Sequence, residues 1–130
     1  MTEGDFRATT SGDMEVRSKV WLEKSGKVAV SSWRVMLLES VRDAGSLSAA
    51  CEMMNVPYRT AWYKLKEMEE ELGVKLLKTQ SGGAAGGGSS LTREADEIVE
   101  RFRRAYEGIE ALVAERFGAE FADLELKDAS

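Results

Sequence analysis

Apolar positions change period several times along the chain, and each change marks an element. Val20 and Leu22 alternate before Lys24-Ser25-Gly26-Lys27, and Val28 and Val30 alternate after it, the period-two pattern of a short hairpin. Ser31 and Ser32 offer a cap to a helix over 33–43, in which Trp33, Leu37, Leu38 and Val41 share a face and which Gly45 stops. Ser46 caps a second helix, whose Leu47, Ala50, Cys51 and Met54 follow the i, i+3, i+4, i+7 spacing of a buried stripe. Asn55-Val56-Pro57 breaks it, because proline disfavours helical geometry in the residue before it yet suits the first turn of a new helix. A third helix over 57–72 then places Ala61, Leu65, Met68 and Leu72 on one side. Strands are predicted over 74–79 and 89–92, with the glycine run between them. Thr92 caps a long final helix over 93–117, ended by Gly118.

In that last helix Ala95, Val99, Phe102, Tyr106, Ile109 and Val113 recur at alternating spacings of 4 and 3, a heptad seam widened by Ile98, Ala105 and Leu112. One flank can cover the domain while Val99, Phe102, Tyr106, Ile109 and Val113 meet a second copy; the plainer alternative is a helix packed only on its own domain. The predicted fold is mainly α with small β-hairpins: a winged helix-turn-helix with a long C-terminal dimerisation helix. Its expected parts are a mobile N-terminal arm (1–15), the winged helix-turn-helix (16–92), the dimerisation helix (93–118) and an acidic tail (119–130) that contains Phe121, Leu124 and Leu126.

At 130 residues the chain supports one core of ordinary size. Its composition is that of a globular protein, with no apolar run near the ~18 residues of a membrane span, so no membrane partner is expected. The first residues lack a basic stretch followed by an apolar one, so no secretory leader is expected and the cytoplasm is the predicted location. One cysteine and no histidine leave no basis for a disulfide or a Cys/His zinc site, and no metal or cofactor is expected. Cys51, on the buried stripe, reads as a small core residue rather than a nucleophile.

The net charge of −5 argues at first against a nucleic-acid partner, but its distribution reverses the argument. Residues 1–93 carry 13 basic and 12 acidic groups, whereas residues 94–130 carry 5 basic and 11 acidic. Within the helix-turn-helix, residues 58–66 hold Arg59, Lys64 and Lys66 without an acid, and residues 73–93 hold Lys75, Lys78 and Arg93 without an acid. Opposite the apolar stripe of the third helix lie Arg59, Tyr63 and Lys66, flanked by Thr60 and Lys64. Arginine can bond a guanine edge bidentately and lysine can neutralise a phosphate, so this face suits the major groove; alone, it would read as a solvated helix face. Tyr58 can reach a phosphate or pack on the turn. Trp62, at the boundary of the two faces, is expected to close the corner between the second and third helices.

The run of Ser81, Gly82, Gly83, Ala84, Ala85, Gly86, Gly87 and Gly88 has three readings. A phosphate-binding loop would need a lysine and a hydroxyl residue directly after the last glycine, where Ser89-Ser90 stand. A Gly/Ser linker should separate two domains, and only a helix comes after it. A wing fits its flanks: bare backbone at Ser81, Gly82, Gly83, Gly86, Gly87 and Gly88 lets amides approach a sugar-phosphate chain closely.

The segment GSLSAACEMMNVPYRTAWYKLKEMEEELGVKLLKTQSGGAAGGGSSLT resembles the N-terminal DNA-binding domain of the ModE family of molybdate-responsive bacterial transcriptional regulators. The resemblance covers about residues 19–106. Its most specific parts are Tyr58-Arg59-Thr60-Ala61-Trp62, similar to the family's recognition-helix start, and Gly82-Gly83 with Gly86-Gly87-Gly88 before Leu91-Thr92, similar to its wing. LysR-type domains share the more general GSLSAA, EELGVKLL and LT elements but lack that helix start and wing. Pro57 stands where the family usually has a serine cap, which removes a hydroxyl contact to phosphate. The resemblance implies a dimer that binds an inverted-repeat operator in double-stranded DNA and controls transcription. Members carry molybdate-binding domains after the dimerisation helix, near where this chain stops; the expectation is a single-domain regulator, or one that depends on a separate sensor protein.

Three alternatives have different signatures: a LysR-like DNA-binding domain, a protein-interaction adaptor that keeps the fold, and an oxyanion site at the glycine loop or a dimer interface. An enzyme is not expected, since the chain offers no histidine and no convincing acid/base pair.

Overall fold

The computed structural model describes residues 6–9, 14–83 and 86–125. The order of elements is β1 (Phe6–Thr9), β2 (Glu15–Ser18), β3 (Leu22–Lys24), β4 (Lys27–Val30), α1 (Ser32–Ala44), α2 (Leu47–Met54), α3 (Tyr58–Leu72), β5 (Leu77–Gly83), β6 (Gly86–Leu91) and α4 (Arg93–Phe121). The strands pair as three antiparallel hairpins: β1 with β2, β3 with β4, and β5 with β6. Two compact units result, residues 20–103, and residues 1–19 together with 104–130.

The larger unit is organised by its helix ends. Ser31 Oγ accepts from the Arg34 N–H at 3.2 Å, and Ser46 Oγ accepts from the Ala49 N–H at 3.0 Å, so both predicted serine caps form. Between them Gly45 takes a left-handed φ of 86°, and its N–H donates to the Val41 carbonyl at 2.8 Å. Asn55, also left-handed, turns the chain from α2 into α3. Beneath these turns Val35, Leu37, Leu38, Val41, Ala50, Ala61 and Met68 have no solvent exposure. Burying leucines such as Leu37 and Leu38 contributes roughly 1.5–3 kcal/mol each. Cys51 belongs to this core, and burial pushes its thiol pKa up, so it is a packing residue.

Strand β5 starts at Leu77, later than the predicted Val74. Gly73 is left-handed with φ 71°, and the next residues lead away from α3: the Leu76 N–H donates to Glu69 Oε2 at 2.9 Å before the ladder begins. In β5–β6, Leu77 faces Leu91, Thr79 faces Ser89 and Gly83 faces Gly86, with an irregularity between Gln80 and Gly83. Ala84 and Ala85, at the tip, lie outside the described residues. The Ser89 N–H donates to the Gly45 carbonyl at 2.9 Å and ties β6 to the α1–α2 turn.

In the smaller unit, residues 6–9 are not an arm: Phe6 pairs with Ser18 and Thr9 with Glu15 in a regular ladder, and the Tyr106 hydroxyl donates to the Ser18 carbonyl at 3.0 Å. Residues 1–5 and 10–13 of the predicted arm lie outside the described residues, as do 126–130 of the predicted tail. Helix α4 does not stop at Gly118 but continues to Phe121. A glycine inside a helix costs about 1 kcal/mol, which the Phe117–Phe121 stack, with centroids 6.3 Å apart, helps to offset.

Candidate nucleic-acid interface

Helix α3 separates its two faces as the spacing requires. Ala61, Leu65 and Met68 are buried, Leu72 is half-buried, and Tyr58, Arg59, Thr60 and Tyr63 are exposed, Tyr63 by 56%. Pro57 stands at the N-cap without a side-chain bond, so the first-turn N–H groups are left to water or to an anion. Arg59 makes no ion pair among the described residues, and its guanidinium is available to a partner.

Trp62 departs from its predicted role. It is 40% exposed and belongs to the outer face, where it meets Tyr63 edge-on at 5.3 Å and 80°. Lys66 Nζ lies 5.5 Å from its ring centroid, within cation–π range. At the α2–α3 corner Leu47, Ala50 and Cys51 of α2 and Ala61 and Leu65 of α3 are the buried residues.

The acidic group that comes after the basic window reaches back into it. Lys64 Nζ is 4.0 Å from Glu67, and Lys66 Nζ is 3.3 Å from Glu69, both at i,i+3. Glu67 also receives Arg34 Nη2 at 3.0 Å, while Glu69 also faces Lys75 Nζ at 3.9 Å. Burial alone would raise the Glu69 carboxyl; the Leu76 N–H, the hydrogen bond and charge of Lys66, and Lys75 together hold its pKa below the ordinary value.

A groove of about 670 Å³ runs between α3 and the base of the β5–β6 hairpin. Tyr58, Trp62 and Lys66 line its helix side, and Lys78, Thr79 and Ser89 its strand side. Leu47, Leu65, Leu77 and the Glu69 carboxylate also line it, so the hydroxyl and ammonium groups that suit a polyanionic backbone share the groove with apolar and acidic ones.

The profile of the bacterial regulatory helix-turn-helix protein, lysR family, matches residues 34–96, which run from α1 through the recognition face and the hairpin into α4. This segment is a LysR-type helix-turn-helix domain. The chain is also homologous to ModE-type proteins. It is 35% identical to the molybdenum-pterin-binding protein MopB of Rhodobacter capsulatus over 95 residues, 73% of this chain and 33% of that protein. Against the transcriptional regulator ModE of Haemophilus influenzae it is 33% identical over 69 residues, 53% of this chain and 27% of that one. The DNA-binding transcriptional dual regulator ModE of Escherichia coli (strain K12) is 26% identical over 89 residues, 68% of this chain and 34% of that protein. The chain thus spans about a third of the length of these relatives. The LysR-type match makes the domain a member of a DNA-binding regulator family, and the relatives' names are those of regulators and binding proteins rather than enzymes.

Of the predicted site residues on α3, Tyr58, Arg59, Thr60 and Tyr63 are exposed and Lys64 and Lys66 are half-buried. The glycine residues Gly82, Gly83, Gly86, Gly87 and Gly88, with Ser81, are placed in β5 and β6. The contact of Lys66 with Glu69 and Trp62 is not anticipated from the sequence, although the i,i+3 and i,i+4 spacings are its signal. The predicted dimer residues divide. Val99 and Phe102 are buried in the larger unit, where Arg103 grips Glu39 of α1 through two bonds of 3.1 and 2.6 Å, and Tyr106 is buried in the smaller one. These three are covered by their own chain, which leaves Ile109 and Val113 half-buried and Leu112 and Phe117 about half exposed.

Proposed function

We propose that this chain is a sequence-specific DNA-binding transcriptional regulator of the ModE type, which binds an inverted-repeat operator in double-stranded DNA as a homodimer. The observation that carries the reading is the face of α3: Arg59, Tyr63 and Lys66 lie opposite buried Ala61, Leu65 and Met68, beside a groove whose lining includes Lys66, Lys75 and Lys78. Arg59 and Tyr63 read base edges; Tyr58, Thr60, Lys64 and Lys66 hold phosphates; the backbone from Ser81 to Gly83 and from Gly86 to Gly88 touches the sugar-phosphate chain. Ile109, Val113, Leu112 and Phe117 form the contact with the second copy, which sets the spacing of the half-sites. A cytoplasmic location and control by a separate sensor protein complete the reading.

Replacing Arg59 and Lys66 with alanine should abolish binding to a wild-type-selected site in a mobility-shift assay while sedimentation still reports the dimer. Unchanged binding would overturn the assignment. A partner bound with no dependence on salt would favour a protein-interaction adaptor instead.

A further inference from the structure

Glu69 lies near the end of α3 with its side chain only 10% exposed, and three groups from two segments converge on it. The Leu76 N–H donates to Oε2 at 2.9 Å, Lys66 Nζ donates to Oε1 at 3.3 Å, and Lys75 Nζ stands 3.9 Å from the same oxygen. Lys66 belongs to the recognition face, whereas Lys75 and Leu76 lead into the hairpin. One carboxylate therefore joins a cation of α3 and a cation of the segment before β5 to the backbone that enters β5.

The order extends outward. Lys66 Nζ lies between the Glu69 carboxylate and the Trp62 ring, and Trp62 meets Tyr63 edge-on. An unanchored lysine neutralises any phosphate within its reach and carries no sequence information. A lysine held by a carboxylate engages a phosphate only where the duplex presents one in register, because the phosphate must compete with the existing partner.

We propose that Glu69 is a positioning residue for DNA reading: it draws Lys66 and the largely exposed Lys75 to one carboxylate oxygen beside the groove, competes with phosphate for both, and so sets specificity over affinity. This rests on the DNA-binding reading above.

The test is Glu69→Gln, whose side-chain oxygen can still accept from the Leu76 N–H while the charge is lost. Affinities are measured for a wild-type-selected duplex and for random-sequence duplex between 50 and 200 mM salt. The expected variant binds random DNA more tightly, its slope of log K against log salt steepens by about 0.9 for each lysine released to a phosphate, and its selected-to-random ratio falls by at least about fivefold. A purely structural role would weaken both DNAs together; that result, or an unchanged ratio and slope, overturns the proposal. If wild-type protein binds neither duplex, it is the DNA-binding reading that fails. Should the variant not fold, the Glu69 carboxyl carbon is titrated by NMR in the wild-type protein. DNA that draws Lys66 and Lys75 away will raise its pKa toward the ordinary value, and an identical titration with and without DNA contradicts the proposal.

Discussion

Arg34, buried in α1 with 7% of its side chain exposed, donates from Nη2 to Glu67 Oε2 on α3 at 3.0 Å. Its Nη1 is buried without a hydrogen-bond partner among the described residues, where Glu67 is the carboxylate that compensates this guanidinium. The pair pins the recognition helix to the helix behind it.

The two sides of this pair should respond unequally. Glu67→Ala strands a buried charge and should lower stability by about 2–3 kcal/mol, whereas Arg34→Met removes the buried charge and leaves Glu67, 54% exposed, to water and Lys64, and should cost about 1 kcal/mol or less. Urea unfolding of the two variants checks the order.

Thr92 joins three segments: its Oγ1 caps α4 by accepting from the Ala95 N–H at 3.1 Å and donates to the Lys75 carbonyl at 2.7 Å, and its N–H meets the Leu76 carbonyl at 3.0 Å. Thr92→Ala should cost about 1–2 kcal/mol in thermal unfolding, and Thr92→Ser, which keeps the oxygen, less than half of that.

The caps at Ser31, Ser46 and Thr92 and the stop at Gly45 are legible in the sequence because each is a local device: one side-chain oxygen or one left-handed glycine acts within four residues. The face of α3 is legible for the same reason, since period alone separates Ala61, Leu65 and Met68 from Arg59 and Tyr63. Features that depend on distant partners are not. The β1–β2 ladder shows little alternation, and Ser18 gains a hydrogen bond from Tyr106, 88 positions away. Strand β5 begins later than its apolar pattern suggests because Leu76 spends its N–H on Glu69. Size and its boundary position suggest that Trp62 closes the corner between α2 and α3, but its ring, 40% exposed, meets Lys66 and Tyr63.

Glu69 also makes a pH prediction. Its pKa is lowered in the folded protein, so between that value and the ordinary one the unfolded chain binds more protons and stability rises with pH. The contribution is complete above the ordinary carboxylate range and is lost as pH falls through the lowered value. Urea midpoints taken from about pH 6 to pH 3 should fall more steeply for wild type than for Glu69→Gln.

On α4, Leu112 and Phe117 are about half exposed, so an aspartate at either position removes little packing from the chain itself. Leu112→Asp and Phe117→Asp should each weaken dimerisation at least about tenfold with a stability change of about 0.5 kcal/mol or less. Sedimentation equilibrium over a concentration series separates the two effects.

The most direct test of the central claim is selection of bound duplexes from random-sequence DNA by the wild-type protein and by Arg59→Ala. Arg59 is exposed and without an ion-pair partner among the described residues, so its loss spares the fold and removes a base-reading group. Wild type should enrich an inverted repeat with half-sites about one helical turn, or a multiple of it, apart, and the variant should lose the preference at one position in each half-site. Enrichment of no motif by the wild-type protein, or of the same motif by both proteins, would contradict the account.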